Sequence, residues 1–80
     1  MSTEKIEVFA YSGYRGEETP RAMILRGDKI EVSEILGLWV EEDRSATTRK
    51  RFFKIKGSNG NLYQLYYDEK TGEWFILIAD

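Results

Sequence analysis

The chain has no cysteine and no histidine. Without cysteine, neither a disulfide nor a thiolate metal site can reinforce the fold. Without histidine, the commonest metal ligand and the usual general base near neutral pH are both missing. Ser12, Ser33, Ser45 and Ser58 therefore have no imidazole to activate them. Glu41-Glu42-Asp43 lacks the spaced oxygen ligands of a calcium loop, and Gly13, Gly16, Gly57 and Gly60 form no phosphate-binding loop. Asp68 and Glu73 flank one turn, where Asp68 is better explained as a turn residue than as half of a catalytic pair. The inventory points away from an enzyme and implies no cofactor. No apolar run reaches membrane-spanning length, and the opening MSTEKIEVFA lacks the roughly 7–15-residue apolar stretch of a signal peptide. The expectation is a soluble, cytoplasmic protein with no membrane contact.

What is present must do more with less. The 80 residues read as one β-rich domain, 1–80, and a chain this short buries only roughly 60% of the surface its unfolded form exposes. Each buried aromatic ring then contributes on the order of 2–3 kcal/mol. Seven of the eleven aromatic residues lie between Arg51 and Asp80. The net charge of −2 exerts no global pull on nucleic acid, but its distribution is uneven. Arg44, Arg49, Lys50, Arg51, Lys54 and Lys56 fall together, and no acid occurs from Arg44 to Tyr67. Such a block is ordinarily a solvated face, and it is also where an anionic partner docks.

Alternation through Lys5–Tyr11 predicts a first strand. Ser12–Thr19, with two glycines before the single proline, reads as a loop. Apolar runs on either side of Gly27-Asp28 predict a hairpin with a type II′ turn, setting Leu25 opposite Ile30 and Met23 opposite Val32. Ser33–Gly37 fits either one helical turn capped by Ser33 or a strand kinked by a glycine bulge. The kinked strand, with Trp39 and Leu36 pointing inward, is preferred. Asp43–Lys50 has no apolar rhythm and reads as a mobile surface loop.

The C-terminal segment constrains itself most. A two-residue Asn59-Gly60 turn would scramble the faces of the flanking strands. A three-residue loop with Gly60 in the left-handed position instead sets Ile55 opposite Tyr63 and Phe53 opposite Leu65. A four-residue loop closed by Gly72 continues the pairing as Tyr67–Trp74, Leu65–Ile76 and Tyr63–Ile78. The core face is then Phe53, Ile55, Tyr63, Leu65, Tyr67, Trp74, Ile76 and Ile78. The opposite face carries Phe52, Tyr66 and Phe75 in a row, beside Lys54 and Lys56. The fold class is all-β: five to six antiparallel strands in meander order, forming a small barrel or strongly bent sheet with at most one helical turn.

Gly27, Ile30, Val32, Ile35, Leu36 and Trp39, followed by Phe53, Ile55, Gly60, Tyr63, Leu65, Asp68, Thr71, Gly72 and Trp74, resemble the pattern of a short bacterial domain family of unknown function. The resemblance covers roughly Pro20 to Asp80. The ending, with Tyr63, Leu65 and Trp74-Phe75, is also similar to the C-terminal tail of bacterial Y-family polymerase-like proteins of mutagenic repair. No polymerase catalytic domain accompanies it, so this likeness implies an accessory or interaction module. RKRFFKIKG superficially matches the basic-aromatic strand of RNA-recognition motifs, but the glycine positions fail and the alternating helices are missing.

The outward row has three readings. It packs under Lys5–Tyr11 or the 33–42 segment to complete a barrel, or it docks a protein partner or a second copy. The third is an accessory module that grips single-stranded nucleic acid, with rings for base stacking and Arg49, Lys50, Arg51, Lys54 and Lys56 for phosphate. A non-catalytic binding module is the preferred function, with Phe52, Lys54, Lys56, Tyr66 and Phe75 as its surface.

Overall fold

Three of the strand connections turn on a glycine with positive φ. Arg26 (φ 51°) and Gly27 (φ 88°) form the first. Two positive-φ residues in succession define a type I′ turn, whose twist matches that of the strands it joins. Gly60 (φ 87°) closes the second, where its N–H donates to the Gly57 carbonyl at 2.9 Å and the Gly57 N–H donates to the Asn61 carbonyl at 2.8 Å. Gly72 (φ 74°) closes the third, donating to the Asp68 carbonyl at 2.8 Å. The Asp68 carboxylate accepts the Lys70 N–H at 2.9 Å and holds that loop in shape.

A computed structural model describes residues 2–12, 18–45 and 47–78. They form six strands: β1 (Ser2–Ser12), β2 (Glu18–Leu25), β3 (Asp28–Asp43), β4 (Thr48–Gly57), β5 (Leu62–Asp68) and β6 (Glu73–Ile78). Each strand pairs antiparallel with the next, and β1 returns to pair with β6, so the meander closes into a barrel. Closure is possible because β1 divides its length. Ser2–Ile6 pairs with β6, while Glu7–Ser12 pairs with β2. β3 does the same, giving Asp28–Glu31 to β2 and Val32–Asp43 to β4. Residues 13–17 of the expected first loop lie outside the described residues.

Phe53, Ile55 and Leu65 are fully buried inside, with Ile6, Met23, Ile30, Trp74 and Ile76 around them and Tyr63, Tyr67 and Ile78 packed at the margin. The register behind this core is the expected one: Ile55 opposite Tyr63, Phe53 opposite Leu65, Leu65 opposite Ile76 and Tyr67 opposite Trp74.

Three expectations need correction. The first hairpin turns at Arg26-Gly27, so Leu25 faces Asp28 and Met23 faces Ile30. The error is two residues, and a slip of two preserves the pleat. Leu25, Met23, Ile30 and Val32 consequently still share the core side. Second, Asp43–Lys50 is no single loop, because β3 runs to Asp43 and β4 begins at Thr48. The paired residues there are Glu41–Lys50, Glu42–Arg49 and Asp43–Thr48. Cross-strand charge replaces the apolar rhythm that a sequence scan looks for.

Third, Ser33–Gly37 is strand with two bulges rather than one, with register shifts between Val32 and Glu34 and between Ile35 and Gly37. Ser33 is the extra residue of the first, and its hydroxyl donates to the Lys56 carbonyl at 3.0 Å. One bulge turns Trp39 inward. Two restore the original pleat and set Trp39 opposite Phe52 on the outside.

Gly57 shows how tightly the barrel is filled. A Cβ placed there would stand 2.8 Å from Ile30 Cγ2, 2.9 Å from Asn59 Oδ1 and 3.0 Å from Tyr63 Cε2. Gly57→Ala is expected to cost about 1–3 kcal/mol through overpacking, read as a lower urea midpoint at unchanged slope. An unchanged midpoint would show that the turn and Ile30 yield freely.

Candidate functional site

The alternation of β4, β5 and β6 puts Phe52, Tyr66 and Phe75 on the outer face in adjacent strands. Trp39 of β3 extends the row to four rings. Centroid separations are 5.4 Å for Trp39–Phe52, 5.2 Å for Phe52–Tyr66 and 4.9 Å for Tyr66–Phe75. The interplanar angles are 7°, 34° and 18°, so Trp39–Phe52 and Tyr66–Phe75 are stacked pairs and Phe52–Tyr66 between them is tilted. Phe52, in the middle, is only 8% exposed, while Trp39 at the end is 37% exposed. Sequence reasoning missed Trp39, because its place depends on the count of bulges between Val32 and Gly37.

Polar groups fix this row from its sides. The Trp39 Nε1–H donates to Glu41 Oε2 at 3.2 Å, which holds the indole parallel to Phe52. Lys50 Nζ lies 5.1 Å from the centre of the Tyr66 ring, within cation–π range. Lys5 of β1 stands opposite Phe75 and forms an ion pair with Glu73, tying the first strand to the last. The hydrogen bond from Lys5, followed by its positive charge, holds the Glu73 carboxyl below its ordinary value of 4.5.

The structure separates the expected basic residues into two groups. Lys50, Lys54 and Lys56 share the outer face with Phe52 by strand alternation. Arg51 stands opposite Tyr67, on the pleat that carries Phe53 and Ile55, so it does not join the outer ring row. Arg49 shares that pleat, and its guanidinium lies 3.3 Å from Glu69 and 3.7 Å from Glu42. The proposed continuous basic track of Arg49, Lys50 and Arg51 therefore alternates between faces.

The larger omission in the sequence reading is apolar. Ile35, Leu36, Leu38, Trp39 and Val40 are all large, all exposed and nearly consecutive in β3. Leu38 faces Phe53 across the strand pair yet is 55% exposed. The signal was visible in ILGLWV, where apolar residues occupy both pleats of one strand. It reads as burial on both sides, and the structure instead leaves the segment at the margin of its sheet. Contiguous apolar surface of this kind marks contact sites on soluble proteins. Among the described residues, no group of three acidic side chains is arranged to hold a metal ion, and no helix is long and apolar enough to cross a membrane.

A family model described as Domain of unknown function (DUF6504) matches residues 1–79. The chain belongs to that family. No curated protein and no solved structure matches it significantly. For this DUF6504 chain, then, the surface itself is the guide to what it does.

Two measurements test the geometry. Phe52→Ala is expected to cost about 3 kcal/mol, and a double-mutant cycle of Trp39→Ala with Phe52→Ala should return a coupling of about 0.5–1.5 kcal/mol. Zero coupling would mean that the two rings are neighbours without being partners. The second is a pH series. A carboxylate held below its ordinary value contributes stability that is complete above the unfolded value and disappears as pH falls through the folded one. The difference between wild type and Glu73→Gln should therefore be constant above about pH 5.5 and shrink below about pH 4.5. A difference that grows on acidification contradicts the Lys5–Glu73 contact.

Proposed function

We propose that the chain is a non-catalytic protein-binding module, with its contact surface centred on Leu38 and Trp39 and extending along the outer ring row. The observation that supports this reading is the run of exposed apolar side chains from Ile35 to Val40. Leaving that area in water forgoes burial free energy that a chain of this size has little of to spare. A partner that covers Trp39 would recover it, and aromatic residues at the centre of a patch are the usual anchors of protein contacts. The likeness of the ending to tails of Y-family polymerase-like proteins is consistent with an accessory role in the bacterial cytoplasm.

Single-stranded nucleic acid fits this surface less well. Base stacking requires an uncovered ring face, and the faces of Phe52 and Tyr66 are occupied by neighbouring rings. Glu41, bound to the Trp39 indole, places a negative charge where a phosphate would run.

A photo-crosslinking residue introduced at position 38 in the cells that make the protein should yield a discrete adduct, and the same residue at position 70 should not. No adduct at 38, or identical adducts at both positions, overturns the reading. Titration with a mixed-sequence oligonucleotide should leave the Trp39, Phe52, Tyr66 and Phe75 resonances unmoved. Shifts that weaken steeply as salt rises would return the surface to nucleic acid.

A further inference from the structure

We infer that the outer side of β3 between Gly37 and Glu42 accepts an extended strand from a partner protein, one with an apolar centre and basic ends. This rests on the protein-binding reading and specifies how the partner is held. β3 pairs with β2 only through Asp28–Glu31. Beyond that point its pairing is with β4, so among the described residues its other side has no strand beside it. A strand margin of this kind presents backbone donors and acceptors that a further strand can satisfy.

The stretch is also regular enough to template one. Both bulges lie before Gly37, and from there to Asp43 the register against Lys54–Thr48 runs without interruption. Leu38, Trp39 and Val40 present exposed apolar side chains on both pleats. An added strand therefore gains side-chain contacts above and below as well as hydrogen bonds.

Charge selects the occupant. From Ile30 to Asp43 there is no lysine or arginine, while Glu31, Glu34, Glu41, Glu42 and Asp43 bracket the apolar centre. Glu42 lies 3.7 Å from Arg49, and Glu41 accepts from Trp39. Glu31, Glu34 and Glu41 have no ion-pair partner among the described residues. A second copy laid along this margin would bring the same five acids to the seam with no lysine or arginine between Ile30 and Asp43 to meet them, and like charges brought together across strands are destabilising. Lysines or arginines at the ends of a foreign strand turn the same positions into attraction.

The test is an NMR titration of the full chain with synthetic peptides of alternating valine and threonine, ended either by lysine pairs or by glutamate pairs. The lysine-ended peptide should shift and slow exchange of backbone amides within Gly37–Glu42. It should bind about tenfold more tightly than the glutamate-ended one and lose binding when its central amides are N-methylated. Undiminished binding of the N-methylated peptide overturns strand addition and leaves the side-chain surface of the preceding proposal standing. Equal affinity for both peptides overturns the charge selection. No response from Gly37–Glu42, with the position-38 adduct still formed, overturns strand addition alone. Slow exchange at those amides in the free protein, together with a dimeric mass, gives the edge to a second copy and overturns the proposal.

Discussion

The pairing of β1 with β6 is the contact on which the barrel depends. Without it, the strands form an open meander with two exposed edges and an interior reachable by water. With it, every strand has a neighbour on both sides over part of its length. The contact is made by Ser2–Ile6 alone, since the rest of β1 belongs to β2. Ile6 contributes to the core at the point where β1 changes partner, and Lys5 beside it is ion-paired to Glu73 on the outside. One short segment thus seals both surfaces. The cost of ordering it is recovered by burying Trp74 and Ile76, which an open sheet would leave wet.

Closure has a second consequence, at β3. A strand that serves two sheets must bend between them, and the two bulges after Val32 sit at that change of partner. Bulges raise local twist and bend the strand that carries them. Their combined effect on the pleat is nil, since each moves side chains by one position. The same pair of irregularities that lets β3 leave β2 therefore returns Trp39 to the outer face. Ring stacking and barrel closure are linked through the geometry of Ser33–Gly37.

This explains which parts of the molecule could be read from its residues. The turns at Gly60 and Gly72 have one workable geometry each, and the apolar pattern of the flanking strands confirms it. The core and the Phe52–Tyr66–Phe75 row followed directly. At Gly27 the turn position was displaced, yet an even slip left the core residues unchanged. β3 defeated the same logic because parity accumulates: a single uncounted bulge inverts every side chain after it. The Glu42–Arg49 ion pair across the ladder hid a strand in what reads as loop, since its stabilising contact is visible only once the partners are aligned. The division of Arg49 and Arg51 from Lys50 and Lys54 required that alignment too.

The length of β3 remains to be accounted for in physical terms. From Gly37 to Asp43, β3 pairs with β4 on one side and, among the described residues, with no strand on the other. Ordering those residues costs about 1–2 kcal/mol of backbone entropy each. Their apolar side chains recover little of that while exposed. The segment is nonetheless a regular ladder, braced by the Trp39–Phe52 stack and by the contacts of Arg49 with Glu42 and Glu69. A stiff strand held out at the margin, apolar in its middle and acidic at its ends, is costly as packing material. On the proposed reading it is a surface prepared in advance, because a template ordered before binding spares the complex the entropy of ordering it afterwards.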